Sequence, residues 1–266
     1  MSRARRRSLS PETDGRTAIA SLRRSHERLR ALVEPLDAEA VRGPSYDDDW
    51  TIAQVLSHLG SGAQIGRAVL DAAVAGRDAP GQEQFVTVWD TWNAKTPDAQ
   101  ATDVLPADQA LVEAYEALDD AQLAGLRVAL GPMSLDSAGV VRLRLSEHAV
   151  HTWDVAVMLD PAATVDAAAV DLLIDGLGMI AGFAGKPTGP ARIHITTTAP
   201  DPEIALDLGD AVNLGPWDGE SRPARLRLPA EAFLRLVYGR LDPAHTPPLE
   251  ADGVDVDTLR AAFPGF

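Results

Sequence analysis

Apolar residues recur at helical spacing through most of the first 160 positions. From Pro11 to about Glu39, Ile19, Leu22, His26, Leu29, Leu32, Val33 and Leu36 mark a stripe near the 3.6-residue period, and Pro35 is placed to end or bend that helix. Thr51 and Gln54 form a capping-box pattern behind Asp47, Asp48 and Asp49, acids suited to the positive end of a helix. The helix they open runs to about Ala75, where Gly76 is a natural terminator. On it His58 shares a face with Val55, Gly62 and Ile65, which directs the imidazole inward. Gly60 and Gly62 are costly in a helix interior and predict close approach of another helix or a ligand. Phe85 to Asn93 reads as a short apolar helical segment, Thr96-Pro97 as an N-cap with proline at the first helical position, and Ala107 to Leu118 as another helix. Asp119 to Asp136 reads as irregular, with Gly131-Pro132 as a turn signal. A further helix starts near Ser137 and stops before Pro161, with Val140, Leu143, Val150, Val155 and Met158 on one face. Four main helices with modest connections predict a bundle.

The pattern changes after Thr164. One more helix, Val165 to Ala184, precedes the break Gly185-Lys186-Pro187-Thr188-Gly189-Pro190. Ala191 to Thr198, Glu203 to Leu208 and Ala224 to Leu228 alternate apolar with polar residues, as half-exposed strands do. Ala230 to Tyr238 is a helix ended by Gly239, and Asp257 to Phe263 a last short one. The expected fold class is α followed by α+β: residues 1–12 a basic tail, 13–162 a helical bundle, 163–266 a smaller α+β domain. Gly176-x-Gly178 lies inside a helix with no strand before it, so it is no dinucleotide fingerprint, and no Gly-x-Ser-x-Gly elbow exists.

Charge narrows the partners. The 266 residues carry a formal net charge of -15, which repels phosphate backbones and argues against nucleic acid. The basic run Arg3, Arg5, Arg6, Arg7 reads as a solvated, disordered tail. No apolar segment follows it and no later stretch reads as long enough to cross a bilayer, so the expected location is cytoplasmic with no membrane partner. The chain has no cysteine. Disulfides, cysteine-ligated zinc and a protein thiol nucleophile are therefore excluded, and any thiol chemistry must use a thiol from outside.

Glu147, His151 and Asp154 lie at i, i+4 and i+7 on one helical face, so Glu147 and His151 are neighbours able to hold one ion. A buried polar pair hydrogen-bonded to other helices is the alternative. His58, inward on an earlier helix, completes two imidazoles and one carboxylate, a set used by catalytic zinc with the fourth position open. Nickel, manganese and ferrous iron accept the same set, and zinc is the ion expected. Asp154 either orients a ligand ring or serves the helix end or core. His148 is expected not to ligate, and His26, between Leu22 and Leu29, to be a packed histidine.

Three segments carry a resemblance: Trp50-Thr51-Ile52-Ala53-Gln54-Val55-Leu56-Ser57-His58-Leu59, Val88-Trp89-Asp90-Thr91-Trp92-Asn93, and Glu147-x-x-x-His151-x-Trp153-Asp154. They resemble the mycothiol-dependent maleylpyruvate isomerase family. The resemblance implies a DinB-like four-helix bundle whose metal is held by a His and a later Glu-x-x-x-His, here His58, Glu147 and His151. It also implies a sterol-carrier-like second domain, matched by Leu226-x-Leu228-Pro229, by Phe233-Leu234-Arg235-Leu236-Val237-Tyr238-Gly239-Arg240 and by Asp252-Gly253-Val254-Asp255. In that domain the resemblance implicates Arg240 in catalysis, where a guanidinium would bind a substrate carboxylate; covering a helix C-terminus is the alternative. The implied partners are mycothiol or a related thiol and a small electrophile, with S-transfer or cis–trans isomerisation as the reaction. A metal-stapled small-molecule binding protein and a bundle without metal are the competing readings.

Overall fold

The computed structural model describes residues 11–47, 49–130, 133–219 and 223–265. The expected basic tail, Asp48 and the Gly131-Pro132 turn lie outside them. The chain divides into two compact units, Met1–Leu159 and Asp160–Phe266.

In the first unit α1 (Pro11–Val33), α2 (Ile52–Val74), α4 (Pro97–Glu116) and α6 (Ser137–Leu159) are the long helices, with α3 (Gln82–Asn93) and α5 (Asp120–Gly125) between them. α1 stops two residues before Pro35, because the residue preceding a proline is pushed out of helical conformation. Thr51 accepts from the Gln54 amide while Gln54 reaches back to the Thr51 amide, so the expected capping box opens α2; Gly76, at φ +63°, follows its end. The long helices share a core of Leu29 and Val33 from α1, Leu56 and Leu59 from α2, Val104 from α4 and Val155 from α6.

Three expectations need correction here. Thr96 caps a single helix, α4, that runs through Pro106 instead of restarting near Ala107. An internal proline costs about 3 kcal/mol, and the buried face of Val104, Asp108, Leu111 and Val112 outweighs it. Residues 119–136 are not all irregular: the described ones include α5 and an antiparallel pair, β1 (Val128–Leu130) and β2 (Met133–Leu135). The face assigned to α6 was too narrow. Met158 is exposed and Val140 and Leu143 are half-buried, whereas Val141 and Leu145 and every residue from His148 to Val157 are buried. A helix enclosed on several sides has no single apolar stripe.

The second unit is a five-stranded sheet ordered β5-β4-β3-β6-β7, where β3 is Arg192–Thr198, β4 Glu203–Asp207, β5 Asn213–Pro216, β6 Ala224–Pro229 and β7 Glu250–Asp252. β3 and β6 run parallel with Ile193 opposite Ala224 and Ile195 opposite Leu226; the other pairings are antiparallel. Ile193, Ile195, Leu226 and Leu228 are buried while Arg225 and Arg227 face out, the two-residue alternation the sequence shows. The expected helix 165–184 is broken into α7 (Ala167–Leu173), a 3-10 turn (Ile174–Gly176) and α8 (Leu177–Ala184). By length and composition this 18-residue run is apolar enough to cross a membrane, which corrects the reading that no stretch qualifies; 33% of it is buried. α7 and α8 pack on α9 (Ala230–Val237), and α10 (Val256–Ala262) closes the chain.

Candidate metal centre

α2 and α6 bring His58, Glu147 and His151 together. Their ligating atoms all lie within 4.8 Å of one another. His58 Nε2 is 3.3 Å and His151 Nε2 is 3.8 Å from Glu147 Oε2, and the two imidazole centroids are 4.6 Å apart. Donors sharing a tetrahedral zinc at about 2.0–2.1 Å sit roughly 3.3–3.4 Å from each other, so this spacing fits one ion with little adjustment.

Asp154, wholly buried, accepts a hydrogen bond from His151 Nδ1 at 2.8 Å. In the neutral ring the proton is thereby fixed on Nδ1, and the Nε2 lone pair faces the Glu147 carboxylate. Burial disfavours the charged form of Glu147, yet the hydrogen bond from His58 and the nearby His151, His58 and Arg144 outweigh it and hold the carboxyl below its usual range. The Trp50 ring stacks on His151 at 6.1 Å and leans on His58 at 5.3 Å, walling one side. The side chains of His58 and Glu147 remain 35% exposed, so a small molecule can approach.

One turn along the bundle lies a second polar cluster that sequence reasoning missed. Asp108 of α4 is wholly buried and accepts from His26 Nδ1 (2.7 Å), His148 Nε2 (2.9 Å) and Arg144 Nη2 (2.8 Å). Arg30 donates to His26 Nε2, which leaves Nδ1 as the nitrogen that meets Asp108. His148 Nδ1 meets Ser25 Oγ at 2.8 Å. Burial opposes the Asp108 charge, but His148, His26 and Arg144 prevail and hold its carboxyl well below the normal value. Ser25, His148 and Asp108 have the connectivity of a nucleophilic triad, yet none is more than 2% exposed. His26 is packed, as its place between Leu22 and Leu29 indicates, and His148 is engaged away from the three-donor cluster.

Two of the three α2 glycines, Gly60 and Gly62, make room for side chains from neighbouring helices. A Cβ on Gly60 would stand 2.2 Å from the Trp92 ring, and one on Gly62 would stand 2.9 Å from Arg144 Nη1. In the second unit, Arg240 follows Gly239 (φ +74°) at the end of α9. The Arg240 amide donates to the Arg235 carbonyl and the Gly239 amide to the Leu236 carbonyl, a Schellman closure. The Arg240 guanidinium, buried, donates to the Tyr238 carbonyl at 2.7 Å, the helix-end position that the sequence left open as the alternative. His194 stacks on Trp217 at 4.3 Å, and His245 pairs with Asp242 at 2.9 Å.

Residues 22–156 match the family described as the mycothiol maleylpyruvate isomerase N-terminal domain, and residues 175–264 match the MDMPI C-terminal domain. No curated protein matches the chain. Two crystal structures are similar, one of the mycothiol-dependent maleylpyruvate isomerase and one of a histidine-to-alanine mutant of it. They are 14% and 13% identical to this chain, each with a TM-score of 0.63, covering 85% of this chain and 90% of theirs. At that identity the likeness speaks for the fold.

Proposed function

The chain belongs to the mycothiol maleylpyruvate isomerase family, and from that premise we propose that it is a metal-dependent enzyme using mycothiol or a related small thiol as nucleophile on an electrophilic small molecule. The observation that carries the reading is the convergence of His58, Glu147 and His151 from two helices, with His151 Nδ1 engaged by Asp154 and its Nε2 3.8 Å from the Glu147 carboxylate. A divalent ion in such a set, zinc being the first candidate, keeps a thiol deprotonated at neutral pH. With no cysteine in the chain, the thiol comes from solution.

The chain's own residues have separable tasks. Glu147 supplies the negative charge that makes the set selective for a cation, and Asp154 holds the His151 ring in the ligating tautomer. Trp50 covers the two rings and limits water on that side. Addition of the thiolate to a cis double bond, rotation and elimination give isomerisation; addition or displacement alone gives S-transfer. Arg240 is the candidate for holding a substrate carboxylate, on the strength of the family resemblance, although its described contact is to a helix end.

The test is calorimetry of mycothiol into metal-loaded protein in buffers of different ionisation enthalpy, alongside metal content measured on untagged protein. Stoichiometric metal, lost in His151→Ala, and release of one proton on thiol binding are expected. Metal without heat or proton release at millimolar thiol would reduce the ion to a structural staple. Metal retained in His151→Ala would move the site elsewhere.

A further inference from the structure

Resting on the reading of His58, Glu147 and His151 as a metal site, we propose that Arg144 is its positioning residue: one guanidinium locks the ligand-bearing turns of α2 and α6 together from the layer beneath. On α6, Arg144 precedes Glu147 by three residues and His151 by seven, so all three share a face. Its Nη2 donates both to the Leu59 carbonyl of α2, the peptide next to His58, at 2.9 Å, and to Asp108 of α4 at 2.8 Å. Gly62, one turn beyond His58, leaves the space the guanidinium occupies. One turn up α2 and one turn back along α6, the donor cluster is followed by this lock, as two antiparallel helices require.

The physical consequence concerns distance. A tetrahedral ion tolerates errors of about 0.2 Å in its donors, and His58 reaches the site from a different helix than Glu147 and His151. Sliding or rotation of α2 against α6 would separate them. Apolar contacts between helices are non-directional and resist sliding weakly, whereas a guanidinium with two fixed acceptors, itself 10% exposed, does not tolerate it. Asp108 is in turn held by His26 of α1, so the register of α2 on α6 refers to the whole bundle.

Zinc affinity by competition with a chromophoric chelator, the visible spectrum of the cobalt-substituted protein and the melting temperature of the metal-free protein test the assignment. Arg144→Met is expected to weaken zinc about tenfold or more, as loss of an outer partner does, and to alter the cobalt bands. Gly62→Ala keeps the charge but crowds the guanidinium, and is expected to weaken zinc to a smaller degree; it also covers the case in which Arg144→Met does not fold. Leu123→Ala, a buried core truncation in α5, is the control: lower melting temperature, unchanged zinc affinity and spectrum. Should Arg144→Met and Gly62→Ala melt earlier yet bind zinc like the wild type, Arg144 is structural only and the proposal falls. Should the wild type bind no divalent ion, the reading of the site falls first and takes the proposal with it.

Discussion

The bundle contains two polar clusters one helical turn apart, both built around a carboxylate and two histidines, and they are opposites. Around Asp108 the carboxylate is enclosed by donors: two imidazole nitrogens and the Arg144 Nη2 surround it, wholly buried, with only Arg144 Nε left without a partner. Around Glu147 the enclosure is looser, with a single 3.3 Å contact from His58 and a 3.8 Å approach from His151. His58 and His151 face one carboxylate oxygen, the His58 and Glu147 side chains are about a third exposed while His151 is buried, and Asp154 engages the His151 nitrogen on the far side of its ring. The same residue types thus give a buried lock where an arginine joins the set and, on the reading proposed above, a receptor where no cationic side chain among the described residues lies between the donors. Composition of a cluster does not decide its role; the balance of donors and acceptors does.

The contrast can be broken in order of expected effect. Asp108→Ala strands two histidines and an arginine in the interior and should cost about 3–5 kcal/mol, whereas His58→Ala in the metal-free protein should cost no more than about 1 kcal/mol; chemical denaturation of both variants compares them directly. Equal losses would mean that the two clusters are not different in kind. Asp154→Ala should raise the zinc dissociation constant about 10–100-fold, read by chelator competition, with Asp108→Asn the informative partner because it perturbs the lock and not the His151 tautomer.

Acid separates the clusters more gently. A carboxyl whose pKa is lower folded than unfolded stabilises the fold above the unfolded value near 4 and loses that contribution as pH falls through the depressed folded value. Asp108, held down by His148, His26 and Arg144 against the effect of burial, therefore defends the fold into strong acid. Zinc release, which needs only protonation of ligands, should come at higher pH than unfolding. A metal-sensitive dye and far-UV circular dichroism in one titration would show two transitions; a single coincident one would merge the clusters into one unit. Asp108→Asn should flatten only the acid limb.

Local signals were legible in the sequence and distant ones were not. The Thr51 and Thr96 caps, the stop before Pro35 and the alternation in β3 and β6 depend on residues a few positions apart. β7, Glu250–Asp252, has no alternation and all three residues are exposed; it exists because β6 offers an edge. His58, Glu147 and His151 could be read because helical spacing puts each on an inward face. The Asp108 lock could not, since it joins α1, α4 and α6 with no spacing rule between them. Gly62 was the one trace of it: a glycine unexplained by its own helix, whose reason is an arginine 82 positions later.

Trp50 gives the molecule a means of being watched. Its indole lies against both the His58 and the His151 rings, a position that no other tryptophan occupies among the described residues. Indole emission is quenched by a histidinium in contact with it and responds to whatever displaces water beside the ring. Occupancy of the centre should therefore be written in the protein's own fluorescence, without a label. Replacing Trp50 by Phe would silence that signal while the remaining tryptophans continue to report the fold.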